Sequence, residues 1–188
     1  MFDVLLGCLA FGLLYIFDFN KVKKIHSLFT GFFAIGVMLL AWSSYWVYAS
    51  ESYLVFQPTS FSFYLFMTLG IVSAGCMFYA LFGALPFTKT YVEGNFNEVI
   101  DTGVYALCRH PGVWGFFFTY LFLFLATGKL LVLVACIIWT LMDIVHVWVQ
   151  DVYFFPKTLK GYDQYKQTTP FLWVNRKSFL RFMQSFGK

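Results

Sequence analysis

Charge is scarce in this chain. Of 188 residues, 13 are Lys or Arg and 9 are Asp or Glu, 12% in all, where a soluble globular domain carries about 25%. With 60% hydrophobic and 23% aromatic residues, that shortage excludes an ordinary soluble domain and leaves an integral membrane protein. Cysteine is sparse too. Cys8, Cys76, Cys108 and Cys136 lie far apart, so they form neither a disulfide framework nor a paired metal spacing, and no metal site is expected. They read as small core-filling residues, although Cys108 beside Arg109 is positioned for a lowered pKa. Strict polar–apolar alternation is missing, which excludes a β-barrel. Internal repeats, low-complexity tracts and a dinucleotide signature are missing as well.

What the chain does have is long charge-free runs. Residues 27–50, 53–88 and 110–128 contain no Asp, Glu, Lys or Arg, and each reaches the length of about 20 residues needed to cross the hydrocarbon core as a helix. A shorter run, 4–17, lies between Asp3 and Asp18. It lacks a basic leading segment and a small-residue cleavage site, so it reads as a short first span rather than a removed signal, with a re-entrant or interfacial helix as the alternative. A fifth run, 130–149, is interrupted by Asp143 and His146. The expected fold is therefore all-α integral membrane, with about five transmembrane helices near 1–19, 27–49, 61–85, 111–127 and 129–149.

The basic residues orient these spans. Lys21, Lys23, Lys24, Lys89, Arg109 and the seven Lys and Arg after the fifth span fall on one side, and only Lys129 falls on the other. The positive-inside rule then puts the N-terminus outside and the C-terminus in the cytoplasm. The net charge of +4 is accordingly a topology signal, and no nucleic-acid partner is expected. Trp42, Tyr45, Trp46, Tyr48 and Tyr53 form an aromatic belt at the outer end of the second span. Gly31, Gly36, Gly70, Gly75 and Gly83 punctuate spans two and three, as close helix packing in lipid requires. At the far end, Phe179, Phe182, Met183 and Phe186 recur at three and four residues around Arg181, the pattern of an amphipathic helix on an anionic leaflet.

Chemistry concentrates between residues 101 and 114. Arg109 and His110 directly precede Pro111, and proline at a first helical turn gives up no hydrogen bond, so a helix is predicted to start there. Only Ala126, Thr127, Gly128 and Lys129 separate the last two spans, which predicts a tight helical hairpin. Such a hairpin returns Gln150 and Asp151 to the face holding Arg109 and His110. The cavity between them suits a zwitterionic amino-acid group, with Arg109 or His110 facing its carboxylate and Asp151 its ammonium. Within the fifth span, Asp143, His146 and Gln150 fall in an arc of about 60° and extend over about 10 Å. Ionisable groups inside a span are functional candidates by default. Each also has a plainer reading: helix–helix pairing for Asp143 and His146, a snorkelled arginine for Arg109, a contact to a backbone carbonyl for His110.

Gly103-Val104-Tyr105-Ala106, then Arg109-His110-Pro111, a hydrophobic hairpin, a polar pair, Gly161-Tyr162, Tyr165 and Pro170 together resemble the isoprenylcysteine carboxyl methyltransferase family, whose wider relatives are membrane phospholipid methyltransferases. The resemblance covers residues 95–174. It implies S-adenosyl-L-methionine as cofactor, bound in a cytoplasmic pocket by Tyr105, Arg109, His110, Gln150, Asp151, Tyr162 and Tyr165. It further implies a lipophilic small-molecule or lipid-modified acceptor; taken with the ionisable residues of the fifth span, the candidate catalytic set is Arg109, His146 and Asp143. In that set Arg109 would orient an acceptor carboxylate, and His146 would take a proton from an amine or thiol. Three positions depart from the pattern: Gln150 and Asp151 stand where the family has consecutive glutamates, Val113 where a tyrosine is common, and Val174 where a proline recurs. The chain then divides into 1–88 with three spans, 89–176 as the cofactor-binding half, and 177–188 as a tail in contact with membrane lipids. Two other readings are a membrane reductase of the sterol-reductase type, binding a reduced nicotinamide, and a non-catalytic scaffold on the same fold.

Overall fold

The protein is described here from a computed structural model, over residues 1–85 and 97–185. Lys89, Gly94, Asn95, Phe186 and Lys188 lie outside the described residues. The chain is helical: α1 (Phe2–Lys23), α2 (Phe32–Ala49), α3 (Ser60–Phe78), α4 (Val104–Leu107), α5 (Pro111–Thr127), α6 (Leu130–Val149), α7 (Phe155–Thr158), α8 (Tyr162–Thr168) and α9 (Arg176–Ser185). Four segments, Phe2–Lys23, Ser27–Ala49, Ser60–Gly83 and Leu130–Thr158, are long and apolar enough to cross a membrane, and α5 is a fifth, shorter apolar helix of 17 residues.

α1 is longer than the apolar run that announces it. The helix runs past Asp18 and Asn20, both buried, to a left-handed Lys24. Val4, Gly7, Phe11 and Asp18 are all buried, and their spacing puts them on one stripe of the helix. Gly7 permits a close approach of α1 and α6: a methyl there would overlap the Trp139 indole, whose Nε1 donates to Val4 O at 2.9 Å. Val4, Phe11, Val47, Phe116, Tyr120, Val132, Ala135, Cys136 and Trp139 make the core shared by α1, α2, α5 and α6. Gly36 and Gly70 do lie against neighbouring helices, Gly36 against Ala10 and Leu14, Gly70 against Phe122. Gly31 and Gly75 face open space instead, so packing does not account for them.

α5 starts at Pro111, as the sequence predicts, and ends on Gly128 at φ 66°, whose N–H donates to Phe124 O. A side chain is excluded there twice over, by the left-handed backbone and by Phe56 O. Gly128 and Lys129 alone connect α5 to α6. The tip of this hairpin is pinned by the segment before α3: Val55 N donates to Gly128 O, and Leu130 N to Tyr53 O, each at 2.8 Å. Lys129 Nζ donates to the carbonyls of Tyr48 and Ser50. The exposed Trp42, Tyr45, Trp46, Tyr48 and Tyr53 gather at this same end.

At its other end α6 does not stop at residue 149. It continues through one π turn, Gln150–Phe154, directly into α7. π turns recur at functional sites because the extra residue re-aims side chains. From α7 the chain turns at Gly161 into α8, and α9 then packs beside α4.

Candidate active site

Arg109 belongs to the loop between α4 and α5, and its own backbone N–H donates to Pro170 O at 2.9 Å. That bond brings the segment after α8 across the start of α5. Four of the five guanidinium N–H groups are engaged: Nε donates to Asp151 Oδ1 at 2.6 Å, Nη2 to Asp151 Oδ2 at 3.0 Å, and Nη1 to the carbonyls of Thr169 at 2.6 Å and Lys166 at 3.2 Å. The ion pair is bidentate and buried, with side-chain exposures of 9% and 6%. Tyr162 Oη also donates to Asp151 Oδ1, at 2.7 Å, and Lys166 Nζ lies 3.7 Å from Oδ2. The loop before α5, the π turn and α8 thus converge on one carboxylate.

His110 sits behind this pair, stacked on Phe155 with ring centres 5.9 Å apart and edge-on to Phe171 at 5.1 Å. Its Nε2 lies 3.5 Å from Asp151 Oδ1 and is buried without a regular hydrogen bond. Burial pushes the imidazole pKa below its usual 6.5, outweighing the pull of the Asp151 carboxylate, so the ring is neutral. Burial, and then Asp151, raises the Tyr162 hydroxyl, which therefore stays a proton donor to that carboxylate. Burial likewise raises the Tyr165 hydroxyl, which donates to Tyr105 O at 2.7 Å. Tyr105 in turn donates to Ala80 O at 2.9 Å. Cys108 does not have the lowered pKa its neighbour Arg109 suggested: burial holds the thiol up at about 11.

On the outer side of this cluster is a cleft of about 420 Å3, lined by Glu98, Val99, Asp101, Lys160, Gly161, Gln164, Tyr165 and Thr168. Of the residues expected to bind a cofactor, Tyr165 lines it, while Tyr105, Arg109, His110, Asp151 and Tyr162 form the framework behind. The structure separates Gln150 from Asp151. Gln150 Nε2 donates to Asp18 Oδ2 at 2.6 Å, on the α1 side of α6.

There it joins a second polar set. His146 Nε2 is 2.8 Å from the same Asp18 oxygen, and both residues are buried. The Tyr15 ring lies 4.6 Å from the His146 ring, and the Phe11 ring stands edge-on to it at 6.4 Å. Asp143 lies one turn before His146 on the same face of α6, and its carboxylate makes no hydrogen bond or ion pair among the described residues. Asp18 is the site residue that the run 4–17 conceals, because it looks like a charge flanking the span. The signal that reveals it is its place on the stripe of Val4, Gly7 and Phe11. Among the described residues no group of three His, Cys, Asp or Glu side chains is placed to hold a metal ion.

Comparison of the chain with protein-family models, with curated proteins and with solved structures gives no match.

Proposed function

We propose that this protein transfers a methyl group from S-adenosyl-L-methionine to a lipophilic acceptor carried in the membrane. The observation that supports this most is the convergence of the α5 start, the π turn of α6 and α8 on Asp151, with a polar cleft on one side and buried ionisable residues of α1 and α6 on the other. A polar cofactor and a lipophilic acceptor need such two-sided access. In this reading the chain crosses the membrane five times, α5 included, with the Arg109 end in the cytoplasm.

The size and the lining of the cleft support this choice of cofactor. Its volume of about 420 Å3 lies in the range of about 300–1,000 Å3 typical of small-molecule sites. Glu98 and Asp101 suit an ammonium and ribose hydroxyls, Lys160 suits a carboxylate, and Tyr165 offers a ring edge; all four line it. Bound there, the cofactor would supply an electrophilic methyl group. The residues of the chain hold the frame. Asp151 and Arg109 fix the α8 segment, Tyr162 and Tyr165 lock it to the loop before α5, and His110, neutral and unpartnered, faces the interior from behind.

The saturation of Arg109 favours a second reading, a non-catalytic scaffold in which the same cluster only clasps the tail. Calorimetry with S-adenosylhomocysteine on detergent-purified protein separates the two. Methyl transfer requires micromolar binding that Asp101→Asn, at an exposed cleft position, weakens about tenfold, or about 1.4 kcal/mol. Well-folded wild-type protein that binds none would leave the scaffold.

A further inference from the structure

α9 meets the protein with one face only. Asn175 caps it: Ser178 N donates to Asn175 Oδ1 at 2.9 Å, and Asn175 N to Ser178 Oγ at 3.1 Å, a reciprocal arrangement that starts a helix. It is only ten residues long, and a helix that short is marginal unless tertiary contacts hold it. Ser178 is fully buried, and Arg181, Phe182 and Ser185 are partly so, on the side that packs beside α4. There Ser185 Oγ accepts the Gly103 N–H at 3.2 Å. Of the apolar set Phe179, Phe182 and Met183, Phe182 therefore belongs to the docked face.

The opposite face is bare. Phe179, Leu180 and Met183 are each about half exposed and span an arc of about 100°, with Arg176 inside that arc and Lys177 just beyond it, both exposed. Val174 and Trp173, directly before the helix, are exposed as well, Trp173 by 75%. The Trp173 ring stands edge-on to Trp114 at 5.1 Å, and Trp114 stacks on the exposed Phe118 of α5 at 5.9 Å. The bare face of α9 is thus joined through a tryptophan pair to the outside of an apolar helix, where tryptophans mark a membrane boundary. No Asp or Glu occurs in residues 164–188, against five Lys and Arg, so the charge of this segment is complementary to acidic headgroups.

The docked face leads to the polar cleft. Gly103, at φ 57°, lies between Asp101, which lines the cleft, and Tyr105, whose carbonyl accepts the Tyr165 hydroxyl. What steadies Gly103 steadies both.

We infer that α9 is a brace worked by the membrane: its bare face seats on an anionic leaflet, and seating it there holds the Gly103 turn and α4 in place, so that the order of the cleft depends on the charge of the surrounding lipid. Only an effect on cofactor binding rests on the methyl-transfer reading; the lipid surface and the brace do not.

The test is hydrogen exchange of the full-length protein in nanodiscs of phosphatidylcholine and of an equal mixture of phosphatidylcholine and phosphatidylglycerol. Amides of 176–185 and of 103–107 are expected to exchange at least fivefold more slowly on the mixture, the effect of about one basic residue at an anionic surface, with α6 unchanged. Arg176→Gln with Lys177→Gln should abolish the difference. Lys23→Gln with Lys24→Gln, which removes the same charge from exposed positions at the end of α1, should preserve it. Equal exchange on the two lipids would overturn the proposal and leave α9 held by α4 alone. Loss of the difference in the α1 control would overturn it too, as a response to total charge, and slower exchange in 176–185 without any change in 103–107 would reduce α9 to an anchor and overturn the brace. S-adenosylhomocysteine titrated into the same nanodiscs should bind more tightly on the mixture; binding on neither removes the cofactor reading and leaves the exchange result to decide the brace.

Discussion

The two polar clusters of this protein are built on different faces of one continuous helix and differ in how completely they are satisfied. Around Asp151, two guanidinium contacts and a tyrosine hydroxyl meet the carboxylate, and two carbonyls take up further donors of Arg109, so that no charge is bare. Around Asp18, two donors are met and one neighbouring acid, Asp143, is left over. A saturated buried pair holds segments together, whereas a leftover charge costs stability. The contrast makes the first cluster a clasp and leaves the second with an unmatched acid, and it can be broken experimentally.

The largest effect is expected from Arg109→Ala. It strips a buried carboxylate of its partner, which costs about 3–5 kcal/mol, and should appear as loss of folded protein or a collapsed thermal midpoint in detergent. A midpoint close to wild type would mean that the clasp is not structural. Asp18→Ala comes next. His146 and Gln150 lose their shared acceptor inside the bundle, a penalty of about 1–3 kcal/mol, readable as a lower midpoint with the α8 segment still protected in hydrogen exchange. If that protection disappears as well, the two clusters are one cooperative unit. Tyr165→Phe removes a single hydroxyl that donates to Tyr105 O and should cost about 1 kcal/mol, with faster exchange confined to α4 and α8.

The smallest effect is a slope. The folded pKa of His110 is lowered by burial, so the unfolded chain takes up the proton first as pH falls. The contribution of the neutral ring is complete above the usual value of 6.5 and is lost between that value and the lowered one. Stability should therefore fall on acidification below 6.5, and His110→Gln should flatten this decline; an unchanged slope would show that Asp151 and Arg109, which face the ring, keep it from titrating.

Much of this arrangement is legible in the sequence. Pro111 marks the start of α5 because the residue has no N–H to lose, and the short connection ending at Gly128 and Lys129 announces a hairpin because nothing longer is needed to reverse two helices. That hairpin brings Arg109 to Asp151, as expected from the sequence. Three things were hidden for physical reasons. Asp18 sits at the edge of an apolar run, where a charge ordinarily meets water, and only the helical stripe tells that it is inside. Gln150 and Asp151 are neighbours in sequence but point to different helices, since adjacent helical residues diverge by about 100°. And the sequence gives Arg109 a charge without saying what it meets: a ligand's carboxylate and the protein's own Asp151 suit a guanidinium equally.

The π turn at Gln150–Phe154 sets the angular phase of everything that follows it. With one residue more per turn than the α6 segment before it, it retards the rotation of the chain, so that Phe155 meets His110 and the segment after α8 returns over Arg109. Deleting a single residue there would restore the ordinary pitch, advance the phase by about 100° and send α8 off around the bundle, with every side chain of the clasp still present in the chain and none of them able to meet.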